Sequence, residues 1–182
     1  MNILLGVTGG IAAYKACDII SGLKATGHTV EVIATKDALK FIGEAALAAL
    51  SEIEVLTDKT LWDCEGPIRH IEAAKWADVF VVAPATANII AKFAHGLADD
   101  VLSTVNLAVP PETPKFLFPA MNTVMLNNPV VQRNLQDLDE LGWFVANTAD
   151  GKLACGDIGS GKLLKPREIV GIINENINKG ER

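Results

Sequence analysis

The stretch NILLGVTGGIAAYK, residues 2–15, decides the fold. The stretch begins with a compact apolar run that Gly9 and Gly10 follow. A helical pattern starts after these glycines and continues beyond the stretch until Gly27 ends it. Such a run is typical of a strand buried on both faces, and a glycine turn that opens a helix lets backbone N–H groups approach an anion. The stretch therefore predicts a strand, a turn and a helix, with either a ligand-binding turn or simply a tight one at the glycines.

The alternation of strand and helix patterns continues along all 182 residues. Further short apolar runs predict buried strands at residues 30–34, 79–83 and 116–118. Helical patterns lie at residues 86–93 and 100–108, and two more begin at Pro129 and Pro166. This order predicts one α/β domain over residues 1–182, a Rossmann-like (flavodoxin-like) parallel sheet with helices on both faces.

Composition excludes several classes of function. A net charge of −6 disfavours nucleic acid and anionic membrane surfaces as partners, because no basic stripe is left to neutralise phosphates. No run of 18 apolar residues occurs, so we expect no membrane span. Three cysteines without a CxxC pair favour a reducing compartment, hence the cytoplasm. Cys64 and His70 have no second ligand pair near them, so we expect no metal site.

Polar residues follow the predicted strands at the edge where ligands bind in such sheets. A fold that binds NAD expects an acidic residue after the second strand, whereas Thr35 and Lys36 stand there. Thr86 and Asn88 come just after the third strand. Hydroxyl, amine and amide groups suit a mononucleotide with a phosphate, although Thr35 alone fits a helix N-cap equally well.

Three further residues could take part in chemistry. His70 is the histidine with a plausible site role, although a surface or cap position is an equal alternative. We expect His28 in an exposed turn and His95 near a helix C-terminus. Asn122 could cap a turn or hold a carboxylate through its NH₂ group. Cys155 lies in the glycine-rich stretch ACGDIGSGK, where by itself it reads as a chance free thiol.

Taken in order, five motifs resemble the flavin-dependent cysteine decarboxylases over nearly the whole chain. They are GVTGGIAAYK, IRHIE, PATAN, PAMNTVM and ACGDIGSGK. The chain departs from the family pattern at four positions: Thr86 replaces a serine, Ile89 a threonine, Leu126 a tryptophan and Lys162 an arginine. The last change keeps the positive charge but loses the bidentate guanidinium.

The resemblance implies an FMN enzyme, a carboxy-lyase. Among the family's activities it points to decarboxylation of phosphopantothenoylcysteine to phosphopantetheine, for coenzyme A synthesis. The residues it implies for FMN are Gly9, Gly10, Thr35, Thr86, Ala87, Asn88 and Ala120. Those it implies for the substrate are Asn122, Ala154, Gly156 and Lys162. It further implies that His70 is the acid/base of the oxidative half-reaction and that Cys155 gives a proton to the ene-thiol intermediate during its reduction.

The resemblance also implies partners and leaves alternatives open. Family members assemble as homotrimers or as dodecamers built of trimers, with the flavin at the subunit boundary. The chain ends at Arg182, so we expect the ligase that joins cysteine to phosphopantothenate to be a separate protein. The alternatives are a peptidyl-cysteine decarboxylase, a flavin prenyltransferase of the same fold, and a non-catalytic regulatory flavoprotein. The presence of His70, Asn122 and Cys155 together argues against the last, because a binding module has no need of a proton donor.

Overall fold

The computed structural model describes residues 1–60, 68–154, 156 and 158–180. Within these residues, five strands form a parallel sheet in the order β2-β1-β3-β4-β5. They are β1 (Asn2–Val7), β2 (Thr29–Ala34), β3 (Val79–Ala85), β4 (Lys115–Pro119) and β5 (Trp143–Val145). The strand order reverses beside β1, so the carboxyl ends of β1 and β3 flank the crevice where open α/β sheets bind ligands.

Helices connect the strands and cover the sheet. They are α1 (Ala16–Ala25), α2 (Glu44–Ser51), α3 (Arg69–Trp76), α4 (Ala87–His95), α5 (Val101–Ala108), α6 (Thr123–Leu126), α7 (Pro129–Glu140) and α8 (Pro166–Gly180). A 3-10 turn, Ile11–Lys15, links the glycines to α1, so the first helix begins later than the spacing predicts. Pro129 and Pro166 each open a helix, as predicted.

Each face of the sheet carries its own apolar core. Leu5 packs with residues of α1, α2 and α8, whereas Leu4 packs with residues of α3, α4, α5 and α7. Alternate residues of one strand thus face different helix layers, which is why the strands read as continuous apolar runs. The α/β fold predicted from the sequence, a parallel sheet with helices on both faces, is confirmed.

A second sheet follows the main one. Strands β6 (Ala149–Lys152) and β7 (Ile158–Lys162) pair antiparallel as a hairpin. The sequence analysis predicted no strand here, because strands are recognised by β-branched and aromatic residues and these two contain just one, Ile158. Gly151, Gly156 and Gly161 have φ of 146°, 97° and 111°, a conformation that glycine adopts without the penalty of a side chain.

His28 and His95 lie in different environments. His95 lies in the last turn of α4, as predicted. His28 is half-buried rather than exposed, since its Nε2 lies 2.8 Å from Asn174 Oδ1 of α8.

No helix in the described ranges combines the length and apolar composition needed to cross a bilayer.

Candidate functional site

Two adjoining cavities open at the carboxyl ends of β1 and β3 in the described part of the chain. The first, about 600 Å³, lies between the glycine turn, the segment after β4 and the hairpin. The second, about 420 Å³, lies between the glycine turn, the end of β2 and the N-terminus of α4. Both are lined by Gly9, Thr86, Ala87 and Met125, so one elongated ligand could occupy both.

The glycine turn forms the boundary between the two cavities. A Cβ on Gly9 would lie 2.5 Å from the Cβ of Asp37, so this position requires glycine for a close approach to the segment after β2. Gly10 differs, because a Cβ there would meet nothing within 4 Å and its φ of 168° is extended backbone. The open space beside Gly10 belongs to the first cavity.

Buried Thr8, which the sequence analysis missed, joins the glycine turn to the segment after β3. Its hydroxyl donates to the carbonyl of Pro84 at 2.7 Å and accepts from the N–H of Thr86 at 3.1 Å. Thr86 in turn caps α4, since its Oγ1 accepts from the N–H of Ile89 at 3.4 Å. Because Thr86 lines the second cavity, the N-terminus of α4 lies at that cavity. The free N–H groups of a helix's first turn favour anions.

The second cavity combines hydroxyl, amide and charged side chains. Thr35 Oγ1 accepts from the N–H of Ala38 at 3.3 Å in the turn after β2, but the N-cap of the 3-10 turn Ala38–Lys40 is Asp37, so the N-cap expectation for Thr35 is not met. Asn88 and Lys36 also line the cavity. The carboxylate of Asp37 forms an ion pair with Lys40, whose hydrogen bond lowers the pKa of Asp37.

Lys92 lines the second cavity and forms ion pairs with two carboxylates. Its Nζ lies 2.5 Å from an oxygen of Asp99 and 2.5 Å from one of Asp100. Burial alone would lower the pKa of Lys92, but the hydrogen bonds to Asp100 and Asp99 outweigh it and raise the pKa. Lys92 is therefore a fixed positive charge whose partners already neutralise it.

The first cavity is apolar with a cationic rim. Its apolar lining includes Ile11, Met121, Met125, Leu153 and Leu163. The charged residues that line it are Lys15, Lys152 and Lys162, with no carboxylate among its described lining residues. None of these lysines joins an ion pair within the described ranges. The cavity thus suits a ligand with a flat apolar part and a negative charge.

Lys15 and Lys162 influence each other across this rim. Lys15 Nζ donates to the carbonyl of Leu163 at 3.3 Å, next to Lys162 in sequence. Burial, followed by repulsion from Lys162, lowers the pKa of Lys15, and Glu168 opposes the shift. Both ammonium groups line one cavity and form no ion pair within the described residues, so an anion bound there could contact both of them.

Asn122 lies at the wall of the first cavity, at the N-terminus of α6. Its Oδ1 accepts from the N–H groups of Val124 and Met125 at 2.7 and 3.3 Å. The expected cap is confirmed, whereas the expectation that its NH₂ group holds a carboxylate stays a prediction. Ala120, Ala154 and Lys162 line the same cavity.

The two residues predicted to move protons are placed differently. His70 is half-buried in the first turn of α3 and lines neither cavity of the single chain. Cys155 lies outside the described residues, as does Cys64. Gly156 is described, with its φ of 97°, but it lines neither cavity.

The chain is similar to known proteins over almost its whole length. The flavoprotein family model matches residues 1–178. A probable phosphopantothenoylcysteine decarboxylase of Streptococcus mutans is 43% identical over 176 residues, covering 97% of this chain and 98% of that protein. The chain also matches bifunctional coenzyme A biosynthesis proteins of Bacillus subtilis and Vibrio vulnificus at 46% and 40% identity, but spans only 41% and 43% of their length.

Two solved structures share the fold closely. A cysteine-to-serine mutant of phosphopantothenoylcysteine decarboxylase, in complex with pantothenoylaminoethenethiol, superposes with a TM-score of 0.90 at 34% identity, covering 97% of this chain and 98% of that one. The FMN-binding protein AtHal3 superposes with a TM-score of 0.87 at 35% identity, covering 98% of this chain and 97% of that one.

Proposed function

The chain belongs to the flavoprotein family, and on this premise we propose that it uses FMN to decarboxylate phosphopantothenoylcysteine to phosphopantetheine. The observation that carries the substrate assignment is the cationic pair at the rim of an otherwise apolar cavity, Lys15 and Lys162. A phosphate monoester carries close to two negative charges at neutral pH, which matches two ammonium groups. A peptide with a C-terminal cysteine has no phosphate, and its single carboxylate, which Asn122 would hold, leaves both ammonium groups unmatched.

The residues present fit FMN. Apolar Ile11 and Met121 in the first cavity would contact the flavin ring, while Thr35, Thr86 and Asn88 in the second would bind the polar chain and its phosphate. The close approach of Gly9 to Asp37 places the glycine turn, which leads to Ile11, beside the segment after β2 that holds Thr35. When bound, FMN supplies the electron acceptor and donor that the overall reaction needs.

The chain's own residues would bind the substrate at its two charged ends. Asn122 would hold the carboxylate that leaves as CO₂, and the pair Lys15 and Lys162 would hold the phosphate. The apolar lining between them excludes water and strengthens both polar contacts. Ala154 would contribute backbone of the hairpin beside the substrate, whereas contact by Gly156, which lines neither cavity, stays an expectation from the resemblance.

His70 and Cys155 would carry the protons. We propose that His70 is the acid/base of the oxidative half-reaction and that the Cys155 thiol protonates the ene-thiol during its reduction. Because His70 lines neither cavity of its own chain, its role requires a second copy whose α3 reaches the cavity. We propose that this copy belongs to the homotrimer, or dodecamer of trimers, that the resemblance implies, with the cavity at a subunit boundary. We also propose a cytoplasmic location.

The decisive experiment is to incubate the FMN-loaded protein with phosphopantothenoylcysteine and identify the products. We expect CO₂ and phosphopantetheine, detected by mass spectrometry. Parallel reactions contain the unphosphorylated analogue, pantothenoylcysteine, and a peptide with a C-terminal cysteine. Turnover of the peptide in preference to the phosphorylated substrate would contradict the assignment, as would failure to release CO₂ from any of the three.

A further inference from the structure

Strand β7 of the hairpin is attached to the segment that carries Asn122. The N–H of Met121 donates to the carbonyl of Gly161 at 2.9 Å. Two residues later, the hydroxyl of Thr123 donates to the carbonyl of Ser160 at 2.6 Å. These two bonds, which we call the β7 junction, connect segments that are far apart in the sequence.

The β7 junction is tightly packed. A Cβ on Gly159 would lie 2.6 Å from Thr123 Oγ1, and one on Gly161 would collide with the carbonyl oxygen of Met121. The N–H of Gly161 is itself held by Thr148 Oγ1 at 2.9 Å. β7 is therefore fixed by a threonine hydroxyl at each of two neighbouring residues.

The residues of the β7 junction are sequence neighbours of the two side chains that would bind the substrate. Asn122 lies directly between Met121 and Thr123, and Lys162 follows Gly161. Both Asn122 and Lys162 line the first cavity, whereas Thr123 lines neither cavity. The distance between Asn122, which would bind the carboxylate, and Lys162, which would bind the phosphate, thus depends on Thr123, a residue that does not line the cavity.

We propose that Thr123 is a positioning residue that fixes the spacing between Asn122 and Lys162, so that both ends of one substrate molecule are held at once. This inference rests on the proposed function. A site whose two binding groups are already correctly spaced loses less entropy on binding than one that must first be ordered. The hydroxyl of Thr123 therefore favours a substrate with both a carboxylate and a phosphate.

The test compares Thr123→Val, which keeps the shape of the side chain but has no hydroxyl, with Thr123→Ser, which keeps the hydroxyl. Steady-state kinetics are measured on phosphopantothenoylcysteine and on pantothenoylcysteine. With Thr123→Val we expect KM for the phosphorylated substrate to rise about tenfold, the size of one lost hydrogen bond. KM for the unphosphorylated substrate and the Kd of FMN should stay within about twofold, and Thr123→Ser should restore the wild-type values.

Thr26→Val is the matched control. The Thr26 hydroxyl donates to the carbonyls of Leu23 and Gly22 at the end of α1. Neither cavity is lined by this residue, so this variant should leave both KM values unchanged.

A double variant separates spacing from simple stabilisation of the hairpin. In a Lys162→Met background the spacing between Asn122 and the Lys162 ammonium group no longer matters, so Thr123→Val should add little to KM for the phosphorylated substrate. An additional tenfold increase in KM in that background, or an equal increase in KM for both substrates, would overturn the inference. The proposed function would still be upheld by turnover of the phosphorylated substrate by the wild-type protein. If Thr123→Val fails to fold by circular dichroism, Thr148→Val, which releases the same strand, must give the same substrate-dependent pattern. A wild-type protein inactive on both substrates contradicts the proposed function itself.

Discussion

The hydroxyl of Thr8 accepts a hydrogen bond from the backbone N–H of Thr86, 3.1 Å away, and donates to Pro84. This buried bridge keeps the glycine turn in register with the N-terminus of α4, and both belong to the proposed FMN site. Thr8→Val should therefore raise the Kd of FMN by about tenfold or more, because it leaves a buried N–H and a carbonyl without a partner. Fluorescence titration of apoprotein with FMN measures this, and Thr8→Ser should bind as the wild type does. Unchanged affinity in Thr8→Val would remove Thr8 from the cofactor site.

Gly9 and Gly10 should differ in their tolerance of a side chain. Gly9→Ala places a methyl group 2.5 Å from Asp37 Cβ and 2.8 Å from its carbonyl carbon, so backbone must move. We expect a loss of about 1–3 kcal/mol in the free energy of unfolding. Gly10→Ala meets open space and an extended φ, so the free energy of unfolding should change by less than about 0.5 kcal/mol. Urea denaturation of the two apoproteins gives the comparison, and equal losses would contradict it.

Lys15 should confer the preference for a phosphorylated substrate. In Lys15→Met we expect kcat/KM for phosphopantothenoylcysteine to fall by about tenfold or more, the range of a lost charged hydrogen bond, with little change for pantothenoylcysteine. Lys165→Met removes the same charge from a residue that lines neither cavity, and serves as the control. An equal loss on both substrates would mean that Lys15 does not recognise the phosphate.

The same preference should depend on pH. Because burial and Lys162 lower the pKa of Lys15, its ammonium group is lost at a lower pH than that of an ordinary lysine. The phosphate remains doubly charged over this range, so the kcat/KM advantage of the phosphorylated substrate should decline as pH rises through the lowered pKa. Lys15→Arg stays protonated and should flatten this decline. An identical alkaline limb in both proteins would exclude Lys15 as its cause.

His70 should act on the cavity of a neighbouring subunit. His70→Asn and Asn122→Asp are each expected to abolish CO₂ release. Co-expression at equal levels should restore activity in about a quarter of the sites, since random assembly in a cyclic oligomer pairs an intact His70 with an intact Asn122 that often. Recovery is measured against separately purified variants mixed without exchange. No recovery would indicate that each chain supplies its own histidine.

The sequence predicted the parts of the molecule that follow from local patterns. Residues 2–15 alternate from an apolar run to glycines to a helix, and β1, the turn and α1 follow that order. The hydrogen bonds of the Thr8 and Thr123 hydroxyls could not be predicted, because the residues that accept them are distant in the chain. Thr8 bonds to a residue 76 positions away and Thr123 to one 37 positions away. Periodicity describes which face a residue occupies, but not which carbonyl its hydroxyl will meet.

The cationic pair was only half predicted for the same reason. Lys162 was identified from its motif, whereas Lys15 lies in a helical pattern that by itself indicates a solvated face. The 3-10 turn and the hairpin bring them to one rim, which no pattern along the chain reveals. The roles of His70, Asn122 and Cys155 stay predictions from the resemblance.

Cys155 can be tested by separating the two half-reactions. Oxidative decarboxylation should not need the thiol, while reduction of the ene-thiol should need its proton. Cys155→Ser preserves size and hydrogen bonding, but a hydroxyl gives up its proton far less readily than a thiol. We therefore expect the variant to release CO₂ in a first turnover and to accumulate an oxidised product two hydrogens lighter than phosphopantetheine, which mass spectrometry distinguishes. Cys17 is half-buried on α1 and lines neither cavity, so Cys17→Ser is the matched thiol control and should yield only the saturated product. Saturated product formed by Cys155→Ser at the wild-type rate would show that the proton comes from another group.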